Sequence, residues 1–318
     1  MKLLISAYAL TSPELSPVVQ RAREYFDEVV INQLGRRPQK EEMLSMWDGA
    51  SAVLCGMEPF DKEMLEKAPP TLKCISRYGV GYNAIDCDAA KAAGIAVCNT
   101  PGINAVAVAE MTLCLMLSLA RKTPKHDNSI RRGEWKRFIG SDLAGKRLGI
   151  VGLGCIGKLV AARAAAFDMK IQAYDLYPDD AFSEKNNISF LPLKELLETS
   201  DFISLHAPNT PETQGMISRE AFGWMKPSAY LINTSRGELV DEEALFEACR
   251  DNKIAGAGID VFQQEPLYES PLFSLDNVVL TPHQAANTSE TGLKTGMMAL
   301  ENAINVCYAR PCSNIVNK

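Results

Sequence analysis

The run Ile150-Val151-Gly152-Leu153-Gly154-Cys155-Ile156-Gly157 constrains the fold of this chain more than any other stretch. An apolar strand passes directly into G-x-G-x-x-G and then into a helical stretch from about Lys158 to Phe167. Each glycine has a steric reason. Gly152 permits the tight turn, Gly154 lets the backbone approach a pyrophosphate, and Gly157 lets helix and strand pack closely. The helix N-terminus offers unpaired N–H groups to an anion, with Cys155 and Ile156 of the turn among the expected cofactor contacts. The next strand ends at Asp175, 18 residues beyond Gly157, close to the spacing of a carboxylate that binds a ribose 2′-hydroxyl. Such a carboxylate repels a 2′-phosphate, and Leu176–Asp180 contain no Arg or Lys, so the cofactor expected is NAD rather than NADP.

The rest of the chain is compatible with that unit. Its 318 residues suggest two domains at about 150 residues each. Strand signals at Leu3–Ala7, Ala52–Cys55, Cys74–Arg77 and Ala96–Cys98 alternate with helical patches at Pro17–Tyr25, Lys40–Met46, Asp61–Lys67 and Asp88–Ala93. This alternation implies a parallel sheet covered by helices. A long apolar helix from about Asn104 to Arg121 leads through a polar stretch, Thr123 to Asp142, into a second set of strands. These lie at Arg147–Gly152, Lys170–Tyr174, Phe202–Leu205, Ala229–Asn233, Ala257–Val261 and Val278–Leu280, with a last helix at about Ser289–Ala309. The expected fold is α/β: two doubly wound parallel-sheet domains, a Rossmann dinucleotide-binding domain at 101–287 inserted in a flavodoxin-like substrate domain at 1–100 and 288–318.

Composition excludes several function classes. A net charge of −6 and a pI near 5.3 argue against nucleic acid or an anionic membrane as partner. Nine Cys, an odd number without a C-x-x-C pair, suit neither a disulfide framework nor a zinc site, so no metal is expected and a reducing cytosol is. Lys2 to Leu10 reads as a first strand rather than a signal peptide. Glu110, in the middle of the apolar Ile103–Ala120 stretch, makes that stretch a buried helix rather than a membrane span.

Three polar residues follow three strand ends: Arg236 after Leu231–Ser235, Glu265 after Gly258–Phe262, and His283 after Val278–Pro282. Ligands of doubly wound sheets bind at the carboxyl ends of the strands. Together the three form a set suited to carbonyl reduction beside a nicotinamide. The His283 imidazolium would give a proton to the oxygen as hydride arrives, and Glu265 would fix its tautomer. Arg236 would hold a carboxylate and polarise the neighbouring carbonyl. Of the other two histidines, His126 lies in a charged segment, whereas His206 ends a strand and has cofactor contact and packing as its two readings.

The segments Gly152–Gly157, Leu205–Thr213, Asn233–Gly237, Asp260–Pro266 and Thr281–His283 together resemble the D-isomer-specific 2-hydroxyacid dehydrogenases. The resemblance covers almost the whole chain. It implies an NAD-dependent oxidoreductase that interconverts a D-2-hydroxy acid and its 2-keto acid, with Arg236, Glu265 and His283 catalytic. It also implies cofactor contacts from His206, Thr213 and Thr234, a nicotinamide carboxamide held by Asp260, and a substrate carboxylate gripped by the backbone N–H groups of Val80 and Gly81. A homodimer is implied, with Trp135 in the dimerising segment. Arg77–Asp86 and Asn99–Asn104 are most similar to the phosphoglycerate dehydrogenases, in which positions matching Arg77 and Asn104 face the substrate. Two departures stand out: Glu58 places an acid near the expected substrate pocket, and Gln284 follows His283 where the family usually has an apolar residue. With no regulatory segment after Lys318, serine feedback is not expected. The alternatives are a hydroxypyruvate or glyoxylate reductase, an enzyme acting on formate or phosphite, and an NAD-sensing binding protein resembling the C-terminal-binding corepressors.

Overall fold

The structure is a computed structural model that describes residues 1–318, and the chain divides into two compact units. The first comprises Met1–Asn104 and Asn287–Lys318, the second Ala105–Ala286.

The first unit is built on β1 (Lys2–Ile5), β2 (Glu28–Ile31), β3 (Ala52–Cys55), β4 (Cys74–Arg77) and β5 (Ala96–Cys98). All pair in parallel, in the order β2-β1-β3-β4-β5. Helices α1 (Ser16–Ala22), α2 (Lys40–Met46), α3 (Lys62–Leu65) and α4 (Cys87–Ala92) connect them. Successive side chains of a strand point to opposite faces, and here both faces are buried. Leu3, Ile5, Ala52 and Leu54 accordingly enter one apolar cluster, and Leu4, Val53 and Cys55 enter the other.

The second unit starts with α5 (Ala105–Ala120) and α6 (Thr123–Arg131). Its strands are β6 (Arg147–Val151), β7 (Lys170–Tyr174), β8 (Ser189–Phe190), β9 (Phe202–Leu205), β10 (Tyr230–Asn233), β11 (Gly256–Ile259) and β12 (Val278–Leu280). They form one parallel sheet in the order β12-β11-β10-β9-β6-β7-β8. Between them run α7 (Cys155–Ala165), α8 (Asp180–Asn186), α9 (Leu193–Thr199), α10 (Arg219–Trp224) and α11 (Glu242–Arg250). Phe202 and Ile232 face one cluster and Ile203 and Leu231 the other, so this sheet too is covered on both sides. Side chains of Asp179, Ser218 and Asp241 accept from N–H groups of the first turns of their helices.

The last helix, α12 (Ser289–Cys307), returns to the first sheet. Its Ala299, Leu300, Ala303 and Ile304 pack with Leu3 and Leu54, and the Ser76 hydroxyl on β4 donates to the Ala299 carbonyl at 2.8 Å. A side chain at Gly296 would meet Val18 Cγ2 at 2.8 Å, so α1 and α12 approach closely only because that position is glycine.

Several elements differ from the sequence-based expectation. Strand β2 was not expected, because it is a short edge strand with only partly buried side chains. The two-residue β8 at the other sheet's edge carries too little pattern to read. Within the polar stretch after Arg121, Thr123–Arg131 is helical although only Ser129 in it is buried, so no apolar stripe marks it. The apolar α5 is buried along most of its length, with Glu110 exposed and 3.3 Å from Arg163 Nη2. No helix is long and apolar enough to cross a membrane.

Leu300 is 1% exposed in the cluster that joins α12 to the first sheet. Leu300→Ala should cost about 2–5 kcal/mol through the cavity it leaves, read by urea denaturation. An unchanged midpoint would mean that α12 does not stabilise that sheet.

Candidate active site

The glycine-rich turn lies where the strand order of the larger sheet reverses, between β6 and β9. Gly152 has φ of 94°, and a Cβ there would sit 2.6 Å from Ala207 N. A Cβ on Gly157 would meet Gly152 O at 2.3 Å. Around Gly154, by contrast, nothing lies within 4 Å of where a Cβ would be. The turn is thus closed on its protein side and open above Gly154, at the start of α7, where Cys155 is exposed and Ile156 half-buried. That arrangement fits a dinucleotide pyrophosphate.

Asp175 directly follows β7. Its Oδ2 accepts from Leu153 N at 2.6 Å and its Oδ1 from Tyr177 N at 2.8 Å, so the carboxylate is held beside the turn. Sequence reading missed Lys158, which pairs with Asp179 and so offsets part of the negative charge after Asp175. The only signal was one basic residue in the first turns of α7.

His206 directly follows β9, with Nε2 2.8 Å from Ser204 Oγ and Nδ1 buried without a partner. Burial pushes its pKa down to about 3, so the ring is neutral at physiological pH. Thr213 and Thr234 are turned inward. The Thr213 hydroxyl donates to Pro208 O at 2.6 Å and accepts from Thr210 N at 2.8 Å. The Thr234 hydroxyl lies 3.0 Å from that of Thr112 on α5. These hydroxyls brace the loops after β9 and β10.

Asp260 follows β11 and is 0% exposed. Its Oδ1 accepts from Thr281 Oγ1 at 2.5 Å and from Gln284 N at 2.9 Å, and its Oδ2 accepts from Ala285 N at 2.9 Å. Its backbone carbonyl accepts from His283 N at 2.8 Å. The loop after β12 is therefore wrapped around one carboxylate, a role the sequence did not disclose. Gln284 takes part through its backbone N–H, which any residue but proline supplies.

That loop presents His283 with φ of 49° and its side chain 51% exposed. His283 Nδ1 lies 2.6 Å from Glu265 Oε2, while Glu265 Oε1 accepts from Phe262 N at 3.0 Å. The carboxylate thus fixes one ring nitrogen and leaves Nε2 free. Arg236 lies past β10, its Nη1 donating to Ser235 O at 2.6 Å and its carbonyl accepting from Asn233 Nδ2 at 2.8 Å. A Cβ on the next residue, Gly237, would fall 2.0 Å from the Phe262 carbonyl carbon, so the Arg236 turn packs on the segment leading to Glu265. Asn233 was not singled out from sequence, although an Asn at a strand end before Thr-Ser is a turn signal.

In the first unit, Arg77 ends β4 and Val80 and Gly81 follow in the next turn. Asn99 Nδ2 donates to Val80 O at 2.9 Å, while the Val80 and Gly81 N–H groups find no acceptor in the protein. Two adjacent free N–H groups make an anion-binding concavity. Asn104, half-buried, closes this unit's first segment.

Residues 113–285 match the family described as D-isomer specific 2-hydroxyacid dehydrogenase, NAD binding domain. The chain belongs to the D-isomer-specific 2-hydroxyacid dehydrogenases. Its second unit is accordingly an NAD-binding domain. Among family members, it is 40% identical over 305 residues to D-3-phosphoglycerate dehydrogenase of Methanocaldococcus jannaschii, covering 95% of this chain and 58% of that protein. It is 42% identical over 268 residues to glyoxylate reductase of Korarchaeum cryptofilum, covering 82% of this chain and 80% of that one. Among solved structures, the TT0316 protein from Thermus thermophilus matches with a TM-score of 0.89 and 37% identity, over 99% of this chain and 100% of that one. The chain spans 58% and 49% of the lengths of two phosphoglycerate dehydrogenases it matches.

A His206 ring kept neutral by burial should show no protonation between pH 5 and 8 in histidine-resolved NMR. A titration centred near the ordinary imidazole value of about 6.5 would show that the ring is solvated.

Proposed function

We propose that the protein is an NAD-dependent oxidoreductase that interconverts a D-2-hydroxy acid and its 2-keto acid. The observation that carries this reading is the His283–Glu265 contact of 2.6 Å, in the unit that also holds the glycine-rich turn. Gly152, Gly154 and Gly157 with the start of α7 would hold the pyrophosphate, and Asp175 the ribose. When bound, the cofactor supplies or accepts the hydride. His283 Nε2 gives a proton to the carbonyl oxygen in reduction and takes it back in oxidation, while Glu265 holds the ring in the tautomer that work needs. Arg236 offers its guanidinium fork to the substrate carboxylate and polarises the carbonyl. In what we read as the substrate domain, the free N–H groups of Val80 and Gly81 are suited to hold a substrate carboxylate.

Two substrate readings follow. The first is 3-phosphoglycerate, supported by Arg77 and Asn104 at the substrate side and by the Methanocaldococcus relative's name. The second is an unphosphorylated acid such as hydroxypyruvate or glyoxylate, supported by the Korarchaeum relative's name and by the acid at Glu58. We place the protein in the cytoplasm, as a homodimer through the segment that carries Trp135 and Ile139, which are 81% and 91% exposed. Exposed apolar side chains of this size in one loop suit a covered surface.

His283→Ala should lower kcat for 2-keto acid reduction by about 10²–10⁴-fold while NADH binding is kept, followed at the NADH absorbance band. Near-normal turnover would sink the acid–base assignment. Trp135→Glu should shift the sedimentation coefficient from dimer toward monomer, and an unchanged value would move the interface elsewhere.

A further inference from the structure

Glu58 is the most anomalous polar group in the first unit. It is 1% exposed, and both carboxylate oxygens are buried without a hydrogen-bond partner. Buried acids are ordinarily paired, so this one calls for an explanation. It lies in the turn Gly56-Met57-Glu58-Pro59 that follows β3, with the carboxyl folded back over Gly56. A Cβ on Gly56 would meet Glu58 Oε2 at 3.0 Å and Ala7 Cα at 3.6 Å, which places the carboxyl between the carboxyl ends of β1 and β3. Those two strands flank the point where this sheet's order reverses, the position at which doubly wound sheets bind ligands.

Its counterpart is Arg77. Arg77 pairs in register with Cys55 of β3, so its side chain leaves the same end of the sheet. The guanidinium lies over Gly79, where a Cβ would come within 3.0 Å of Nη1. It donates to the Tyr78 carbonyl, and Nη2 approaches Met57 Sδ at 2.7 Å. Neither hydrogen bond goes to a carboxylate, and most of its five donors remain free. Burial raises the pKa of Glu58 and lowers that of Arg77; the nearby backbone of Glu58 and Gly56, the Ser6 hydroxyl and, least of these, Arg77 work against the first shift, and Cys55 and Glu58 work against the second. Arg77, the basic member of this incomplete acid–base pair, stands three residues before Val80 and four before Gly81, whose N–H groups are free.

We propose that Glu58 is a specificity-determining residue: by offsetting the charge of Arg77 it turns this end of the sheet toward a 2-keto acid with a neutral, hydrogen-bonding substituent and away from a phosphorylated one. This rests on the reading that Val80 and Gly81 hold the substrate carboxylate, which puts the substituent within reach of Arg77. A phosphate brings close to two negative charges and needs an uncompensated cation. A hydroxyl needs one donor and one acceptor, which a guanidinium backed by a carboxyl provides.

The test compares kcat/KM for 3-hydroxypyruvate and its phosphate in the 318-residue protein, Glu58→Gln, Arg77→Met and the double variant. Glu58→Gln keeps the shape and removes the charge. It should shift the ratio toward the phosphorylated acid by about tenfold, or about 1.4 kcal/mol. In the Arg77→Met background the same change should leave the ratio unmoved, a coupling that a purely structural role would not produce. An unchanged ratio in Glu58→Gln, or an equal shift without Arg77, overturns the proposal. Should Glu58→Gln fail to fold, Glu58→Met serves the same comparison. If the native protein binds NADH but reduces no 2-keto acid, the underlying reading fails instead. Calorimetric titration with inorganic phosphate then decides about Glu58: binding about tenfold tighter in Glu58→Gln supports its role, and equal binding refutes it.

Discussion

The carboxylate of Asp260, with 0% exposure, is the anchor on which the larger unit's site rests. A buried carboxylate must be hydrogen-bonded, and this one collects three donors from Thr281, Gln284 and Ala285. Hydrogen bonds to a charged group contribute about 1.5–3 kcal/mol each, enough to hold a loop in one conformation. The conformation it holds includes a histidine at φ of 49°, a backbone region that non-glycine residues seldom adopt. His283 is therefore presented to Glu265 by a loop anchored at its root, and the contact between their side chains follows from that anchoring.

Both units use one architectural rule at two scales. Their parallel strands bury both faces, so specificity is left to the loops at the carboxyl ends. In the larger sheet those loops supply the glycine-rich turn, Arg236, Glu265 and His283. In the smaller sheet they supply Glu58, Arg77 and the free N–H groups of Val80 and Gly81. Most polar groups buried at these ends are satisfied, as Asn233 and Asn99 illustrate. Of the unpartnered ones, Glu58 and His206 Nδ1 lie at the points where each strand order reverses, while Thr100 Oγ1 lies just past the edge strand β5.

The features legible from sequence were those written in contiguous residues. The glycine spacing from Gly152 to Gly157 encodes a turn whose steric demands are local, and the structure shows those contacts at 2.6 Å and 2.3 Å. The strands Ala52–Cys55, Cys74–Arg77, Lys170–Tyr174 and Phe202–Leu205 have the bounds expected: the first is an uninterrupted apolar run, as strands buried on both faces tend to be, and the others are apolar apart from one or two positions. Edge strands β2 and β8 were not read from sequence: β2 offers only the short run Val29–Ile31 beside acidic neighbours, and β8 is two residues long. Helix α6 escaped for the related reason that it buries almost nothing.

Residue order alone dictated the two parallel sheets, the glycine turn and the identity of the groups that follow each strand. All of these depend on side-chain period, backbone permissiveness and residue chemistry within a few positions along the chain. It took the folded arrangement to bind a loop 21 to 25 residues away onto Asp260, to bring His283 against Glu265 across 18 residues, and to bury Glu58. Those outcomes depend on where separate loops close against one another. The entropy of that closure is offset by packing elsewhere in the sheet, which no local stretch of sequence records.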